Sequence, residues 1–248
     1  MPEFVIAAAQ IGSVKGEIAA NVANHARFVR AAIAKQADMI VFPELSLTGY
    51  EPDIAAAAAI DADDARLSSL KELAREAKIT IVAGAPLRRQ NEKPYISALL
   101  IAPTGVSVYI KNHLHPGEEA HFSAGEVKRC VLDVDGTKVG LAICADIGHA
   151  SHAAQAAAGG AAVYAAGVLV MGGYAKDTGL LAQYAREHAM AVLMANYGHP
   201  TGGYVPAGKS AVWDNAGNLL ACAPTAGDAL VFLSREDGRW TGKAEELR

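Results

Sequence analysis

Three polar residues stand at the downstream ends of three separate apolar runs. Glu44 follows MIVF and Pro43, Lys111 ends VSVYI, and Cys144 ends KVGLAI. A charge at the exit of a buried strand is costly unless it is paired. A carboxylate can take a thiol proton, and an ammonium can stabilise both a thiolate and a developing oxyanion. A base, a cation and a nucleophile at equivalent strand ends suggest one shared site that attacks an electrophilic carbon. Each residue alone also suits a plain structural role: a rim carboxylate, a solvated lysine, a buried cysteine.

The segment KVGLAIC-ADIGHASH reads as strand, sharp turn and helix, with Asp146 and Ser151 both available as N-caps. A thiol near a helix N-terminus favours the thiolate. The backbone N–H of Ala145 would point toward an oxyanion beside the sulfur. Cys130 and Cys222 lie inside strand-like runs and read as structural. Pro43 cannot continue a central strand, so the chain turns there and leaves Glu44 at a sheet rim.

The elements that must hold these residues alternate between strand-length apolar runs and amphipathic stretches. Strands are expected at 4–10, 39–42, 79–84, 96–102, 106–111, 129–134 and 138–144, with helices at 17–36, 63–78, 149–158 and 177–190. AAVYAA and AVLMAN add two buried strands. Pro103-Thr104-Gly105 and Asp135-Gly136 are hairpin signals. KSAVWD, LLACA and ALVFLS read as a closing meander, and the charged last dozen residues as peripheral. Hairpin-paired strands mixed with helices predict an α/β layered fold with mixed sheets.

With 248 residues, 52% hydrophobic and 19% charged, the chain can build a full core and is not a disordered sequence. No linker or repeat divides it, so residues 1–248 are read as a single domain. A net charge of −4 without a Lys/Arg cluster makes nucleic acid and anionic membrane poor partners. Three cysteines are too few for a disulfide framework. The N-terminus lacks a secretory pattern, and the apolar stretches fall short of the roughly 20 residues of a membrane span. The expectation is a cytoplasmic protein.

Taken in order, several blocks resemble the nitrilase superfamily of carbon–nitrogen hydrolases. They are FPELSLTGY, Tyr109-Ile110-Lys111-Asn112-His113-Leu114, GEEAHFSAG, GLAICAD, ANY and GKSAVWDNAGNLLA, with Gln10 in the opening strand. The resemblance implies a four-layer α-β-β-α sandwich with two mixed sheets. It implies that Glu44 is the general base and that Cys144 attacks the carbonyl carbon to form a thioester. Lys111 and the Ala145 N–H would stabilise the oxyanion. Glu118, seven residues before Gly125, takes the place of a second positioning glutamate, with Glu119 as the alternative. A homodimer through helices near the cysteine is also implied.

The departures bear on substrate. Cys144-Ala145-Asp146 favours amide over nitrile within this resemblance, and Ile147-Gly148-His149 holds no carboxylate-clamping arginine. Ile96 stands where Asn is common and is expected to loosen a loop. Tyr50, His149, Met171, Tyr174 and Tyr204 are expected to border the pocket.

Zinc ligands are conceivable in His113-x-His115 with His121, or in His149 with His152, but the first block follows the family pattern and the second supplies two ligands. A Cys144–His149 dyad would leave Glu44 and Lys111 without a role. Gly172-Gly173 and Gly202-Gly203 lack phosphate-cradle spacing. No metal or cofactor is expected. The sequence thus points to hydrolysis of a small non-peptide amide or carbamoyl compound. Nitrile hydrolysis, N-acyl transfer and non-catalytic binding are the alternatives.

Overall fold

Strand β1 (Phe4–Gln10) is apolar at nearly every position because it is buried on both faces. Successive side chains of a strand point to opposite sides. Phe4, Ile6 and Ala8 enter one core, while Val5, Ala7 and Ala9 enter a second. That division organises the computed structural model, in which residues 3–126 and 131–247 are described.

Two mixed sheets face each other. The first has seven strands in the order β13-β12-β1-β2-β3-β4-β5. They are β2 (Met39–Val41), β3 (Thr80–Leu87), β4 (Tyr95–Ala102), β5 (Gly105–Ile110), β12 (Ala229–Glu236) and β13 (Arg239–Glu246), beside β1. β1, β2 and β3 run parallel, and the outer pairs are antiparallel. The second has six strands in the order β11-β10-β9-β8-β7-β6. They are β6 (Val131–Val134), β7 (Thr137–Ile143), β8 (Val163–Gly167), β9 (Ala191–Ala195), β10 (Ala211–Trp213) and β11 (Leu219–Cys222), with β7, β8 and β9 parallel.

Helices close the outer faces. Helix α1 (Ile18–Ile33) buries Ile18, Val22, Ala26 and Val29 at helical spacing. A short α2 (Ala55–Ala58) precedes α3 (Ser68–Ala77), whose Leu70 and Ala74 join the α1 residues in the second core. Helices α4 (Ala150–Ala158) and α5 (Tyr174–His188) pack Ala153, Ala156, Leu181 and Tyr184 into the first core, against the other sheet. The expected helix–sheet–sheet–helix layering is what forms.

Several local expectations are corrected. The closing meander is broken: β10 and β11 pair, but β12 crosses to the other sheet and pairs with β1. The charged C-terminal stretch is an edge strand, β13, paired along its whole length with β12. Its turn uses Asp237 and Gly238, both at positive φ (47° and 72°), as a tight hairpin requires. Ile96 lies buried in β4 and loosens no loop. Neither Asp146 nor Ser151 caps α4, because His149 holds the N-cap position without a side-chain bond. The expected role of Cys130 falls outside the described residues, and Cys222 is half-buried in β11.

Candidate active site

The turn carrying Glu44 is clamped between the two sheets. A Cβ on Gly84 of β3 would press into Leu45 N and lie 2.6 Å from Pro43 O, and one on Gly167 of β8 would lie 2.5 Å from Phe42 O. Only glycine lets both strands approach so closely. The Leu47 N–H donates to Gly84 O at 2.9 Å, and the Tyr197 hydroxyl donates to Glu44 O at 2.8 Å. Beneath the turn, His25 donates from Nδ1 to Asn21 O (2.7 Å) and meets the Ser46 hydroxyl at Nε2 (2.9 Å). Burial lowers the His25 pKa to about 4, so it sits there uncharged.

Lys111 leaves the end of β5 and is completely buried. Its Nζ donates to Glu44 Oε1 (2.7 Å) and to Glu118 Oε1 and Oε2 (2.8 and 2.7 Å). Glu44 thus holds the ammonium through one oxygen, and the Glu118 carboxylate grips it through both. Glu118 also accepts from the Tyr50 hydroxyl (2.8 Å) and the His115 N–H (2.7 Å). Of the two glutamates, Glu118 is thus the one in the cluster. Glu119 is exposed and accepts from Gly117 N at 2.8 Å.

Cys144 sits where β7 ends and a turn of 3₁₀ helix (Cys144–Gly148) begins. Its φ of +40° is a strained conformation for a residue with a Cβ and turns the thiol out of the strand line. The first N–H groups of such a turn, Ala145 among them, have no partner within it. The thiol donates weakly to Leu169 O at 3.8 Å.

Asp146 ties this elbow to the Lys111 strand. It is fully buried and accepts from Ile143 N (3.0 Å), Asn112 N (3.2 Å), His113 N and His113 Nδ1 (both 3.0 Å), and the Tyr109 hydroxyl (2.7 Å). The Tyr109 oxygen in turn meets His152 Nε2 at 2.8 Å, and His152 Nδ1 meets the Tyr164 hydroxyl at 2.8 Å. Since Tyr109 gives its proton to Asp146, His152 is protonated on Nε2 and accepts from Tyr164. Burial lowers the His152 pKa, consistent with that neutral ring.

The electrostatics follow from burial. Desolvation raises Glu44 to about 7; Lys111 opposes the shift and Glu118 adds to it. Burial works to lower Lys111, but Glu44, Cys144 and Glu118 outweigh it and hold the ammonium above its ordinary value. Burial, then the Glu44 charge, pushes the Cys144 thiol up. The expected depression by a helix N-terminus is therefore not what governs this sulfur, which rests as a thiol. Glu44 Oε2 is the one buried side-chain polar atom without a hydrogen-bond partner among the described residues.

Glu44, Glu118 and Cys144 open onto a cavity of about 310 Å³. Tyr50, Met171 and Tyr204 line it, as do Pro52, Leu169, His115 and His121, which sequence reasoning did not place there. Two expected pocket residues lie elsewhere. His149 stacks on His113 with ring centroids 3.7 Å apart. The Tyr174 hydroxyl donates to Lys209 O at 3.0 Å. Among the described residues no group of three or more His, Cys, Asp or Glu is arranged to hold a metal ion.

A sandwich of two mixed sheets with a thiol, a carboxylate and an ammonium at its strand ends defines a class of thiol-bearing α/β proteins. Residues 5–233 match the carbon-nitrogen hydrolase family, and the chain belongs to that family. It is 29% identical to an (R)-stereoselective amidase of Pseudomonas sp over 215 residues, 85% of this chain and 77% of that protein. The amidase from Nesterenkonia sp. AN1, an amidase of the nitrilase superfamily, has a similar structure. A mutant bearing the acetamide moiety of fluoroacetamide covalently at the active-site cysteine superposes with a TM-score of 0.86 at 28% identity, covering 95% of this chain and 92% of that one. A mutant in complex with butyramide gives 0.86 at 27% identity, covering 96% and 92%. The chain spans about half the length of several other curated relatives it matches.

Proposed function

We propose that the protein is an amidase that cleaves a small non-peptide amide through a thioester on Cys144. The carrying observation is that buried Glu44 holds Lys111 through Oε1 alone and keeps Oε2 available to the neighbouring Cys144 side chain. Glu44 takes the thiol proton as the sulfur attacks the carbonyl carbon. A base poised near neutrality suits that transfer. Protonation of Glu44 loosens its hold on Lys111, which frees an ammonium N–H for the oxyanion beside the Ala145 N–H. Collapse of the tetrahedral intermediate breaks the C–N bond, and ammonia leaves with the proton from Glu44. Glu44 then takes a proton from water, the hydroxide attacks the thioester, and the thiolate recovers a proton as the acid leaves. Glu118 keeps Lys111 in place throughout.

Ammonia release across a panel of small amides tests this reading. Cys144→Ala should abolish it, and unchanged turnover would refute the mechanism. Mass analysis of the products separates the free acid of hydrolysis from an acylated amine.

The reading extends to a cytoplasmic protein that is at least a homodimer, formed through helices near Cys144. Sedimentation velocity should give at least twice the chain mass; a monomer at micromolar concentration would oppose it. No helix among the described residues is long and apolar enough to cross a membrane.

A further inference from the structure

We infer that the site selects amides with an uncharged, apolar acyl group and rejects those whose acyl chain carries a carboxylate. This rests on the amidase reading above and adds to it the class of substrate. The argument is a charge account of the cavity. Among the described residues lining it there is no lysine or arginine. The one buried cation at its floor, Lys111, is already ion-paired with both Glu44 and Glu118, at 2.7 Å each. The ionised cluster of two carboxylates and one ammonium therefore carries a formal charge of −1.

The far wall offers no compensation. Leu169, Met171, Pro52 and the facing rings of Tyr50 and Tyr204, with centroids 5.8 Å apart, present apolar surface. The Tyr50 hydroxyl is committed to Glu118. His115 and His121 are the two imidazoles on the wall, and both are exposed. A carboxylate drawn into this space would lose its water, find no fixed cation among the described lining residues and face a net negative floor. An alkyl chain would instead cover Leu169 and Met171 and be favoured by the water it displaces.

The test compares two amides of equal shape: the monoamide of glutaric acid, and its isostere with an isopropyl group in place of the carboxylate. Both are assayed in the same mildly alkaline buffer. The expected kcat/KM ratio is roughly a hundredfold or more in favour of the isostere, the scale of an unpaired buried charge. Met171→Arg should move that ratio at least tenfold toward the monoamide, because a guanidinium then pairs the carboxylate. Met171 is 38% exposed, so the fold should accept the change; Tyr204→Arg, at 42% exposure, repeats the test if it does not. A wild-type ratio near one, or in favour of the monoamide, overturns the inference. So does a ratio that neither arginine moves. Absence of turnover on both amides, with no acyl group on Cys144, would instead overturn the amidase reading itself.

Discussion

Lys111 Nζ engages Glu44 through Oε1 alone, at 2.7 Å, and leaves Oε2 without a hydrogen-bond partner. Glu118, in contrast, gives Lys111 both oxygens. The two glutamates are therefore not equivalent. One is saturated by donors and fixed, and the other keeps a buried oxygen without a protein donor. A buried acceptor without a partner is costly, and such exceptions are rare enough to call for a functional reason.

The pH dependence of activity follows from the Glu44 environment. With its pKa raised to about 7 by burial, Glu44 is protonated below that pH and cannot accept the thiol proton. The kcat/KM profile should have an acid limb falling about tenfold per pH unit below an apparent pKa near neutrality. Because Glu44, Lys111 and Cys144 interact, that value belongs to the cluster. A flat profile from pH 5 to 8 would contradict this origin.

Stability should show the same group with its own sign. The folded-state pKa of Glu44 lies above the ordinary glutamate value of 4.5, so between 4.5 and about 7 the folded state binds more protons than the unfolded one. This group's contribution therefore falls as pH rises through that window. The Tm of Glu44→Gln, measured relative to wild type, should increase from pH 5 to pH 8, while activity is lost at every pH. A difference that is constant or declining with pH would oppose the assignment.

Removing the cation should cost more than activity. Lys111→Met leaves two buried carboxylates without a counter-charge, a change worth about 3–5 kcal/mol. Chemical denaturation should show that loss near pH 8 and a smaller one near pH 5, where protons replace the ammonium. Lys111→Arg should not rescue turnover, since a planar fork does not fit three converging oxygens.

Asp146 is predicted to act by position. Asp146→Asn keeps the size but replaces one acceptor oxygen with a donor facing N–H groups or the Tyr109 hydroxyl. Stability should fall by about 1–3 kcal/mol, and kcat by more than tenfold, with KM less affected, because the elbow and the Lys111 strand lose their common anchor. Tyr109→Phe removes one of these bonds and should cost about 1 kcal/mol. Equal kcat in Asp146→Asn and wild type would refute the anchoring role.

Gly84→Ala tests the clamp on the Glu44 turn. The added methyl meets backbone atoms of Pro43 and Leu45 rather than a movable side chain. A folded but nearly inactive protein, or one destabilised by about 1–3 kcal/mol or more, is expected. Wild-type stability together with wild-type activity would show that the turn has slack.

How much of this was legible depended on range. The parallel central strands announced themselves because both faces are buried, so FVIAAAQ and AAVYAA are apolar without alternation. The Asp135-Gly136 turn was readable from chemistry alone, and both residues take positive φ. β13 was missed because an edge strand paired on one side carries charges such as Arg239, Lys243 and Glu245 that disguise it. The crossing of β12 was not legible, since no local signal states which sheet a strand joins. Glu44, Lys111 and Cys144 stood out through their places at strand ends, and their association through resemblance. The anchoring contacts of Asp146 link residues more than 30 positions apart, so a capping reading was all the local sequence could offer. His149 and Tyr174 follow Cys144 and Met171 closely in the chain, but the fold turns them onto His113 and Lys209.

The most direct test is intact-mass measurement of enzyme quenched during turnover of a slowly hydrolysed amide, with peptide mapping. An acyl group should appear on Cys144, formed together with one equivalent of ammonia and lost as the free acid accumulates. Ammonia release with no adduct on Cys144, persisting in Cys144→Ala, would contradict a thioester at this sulfur.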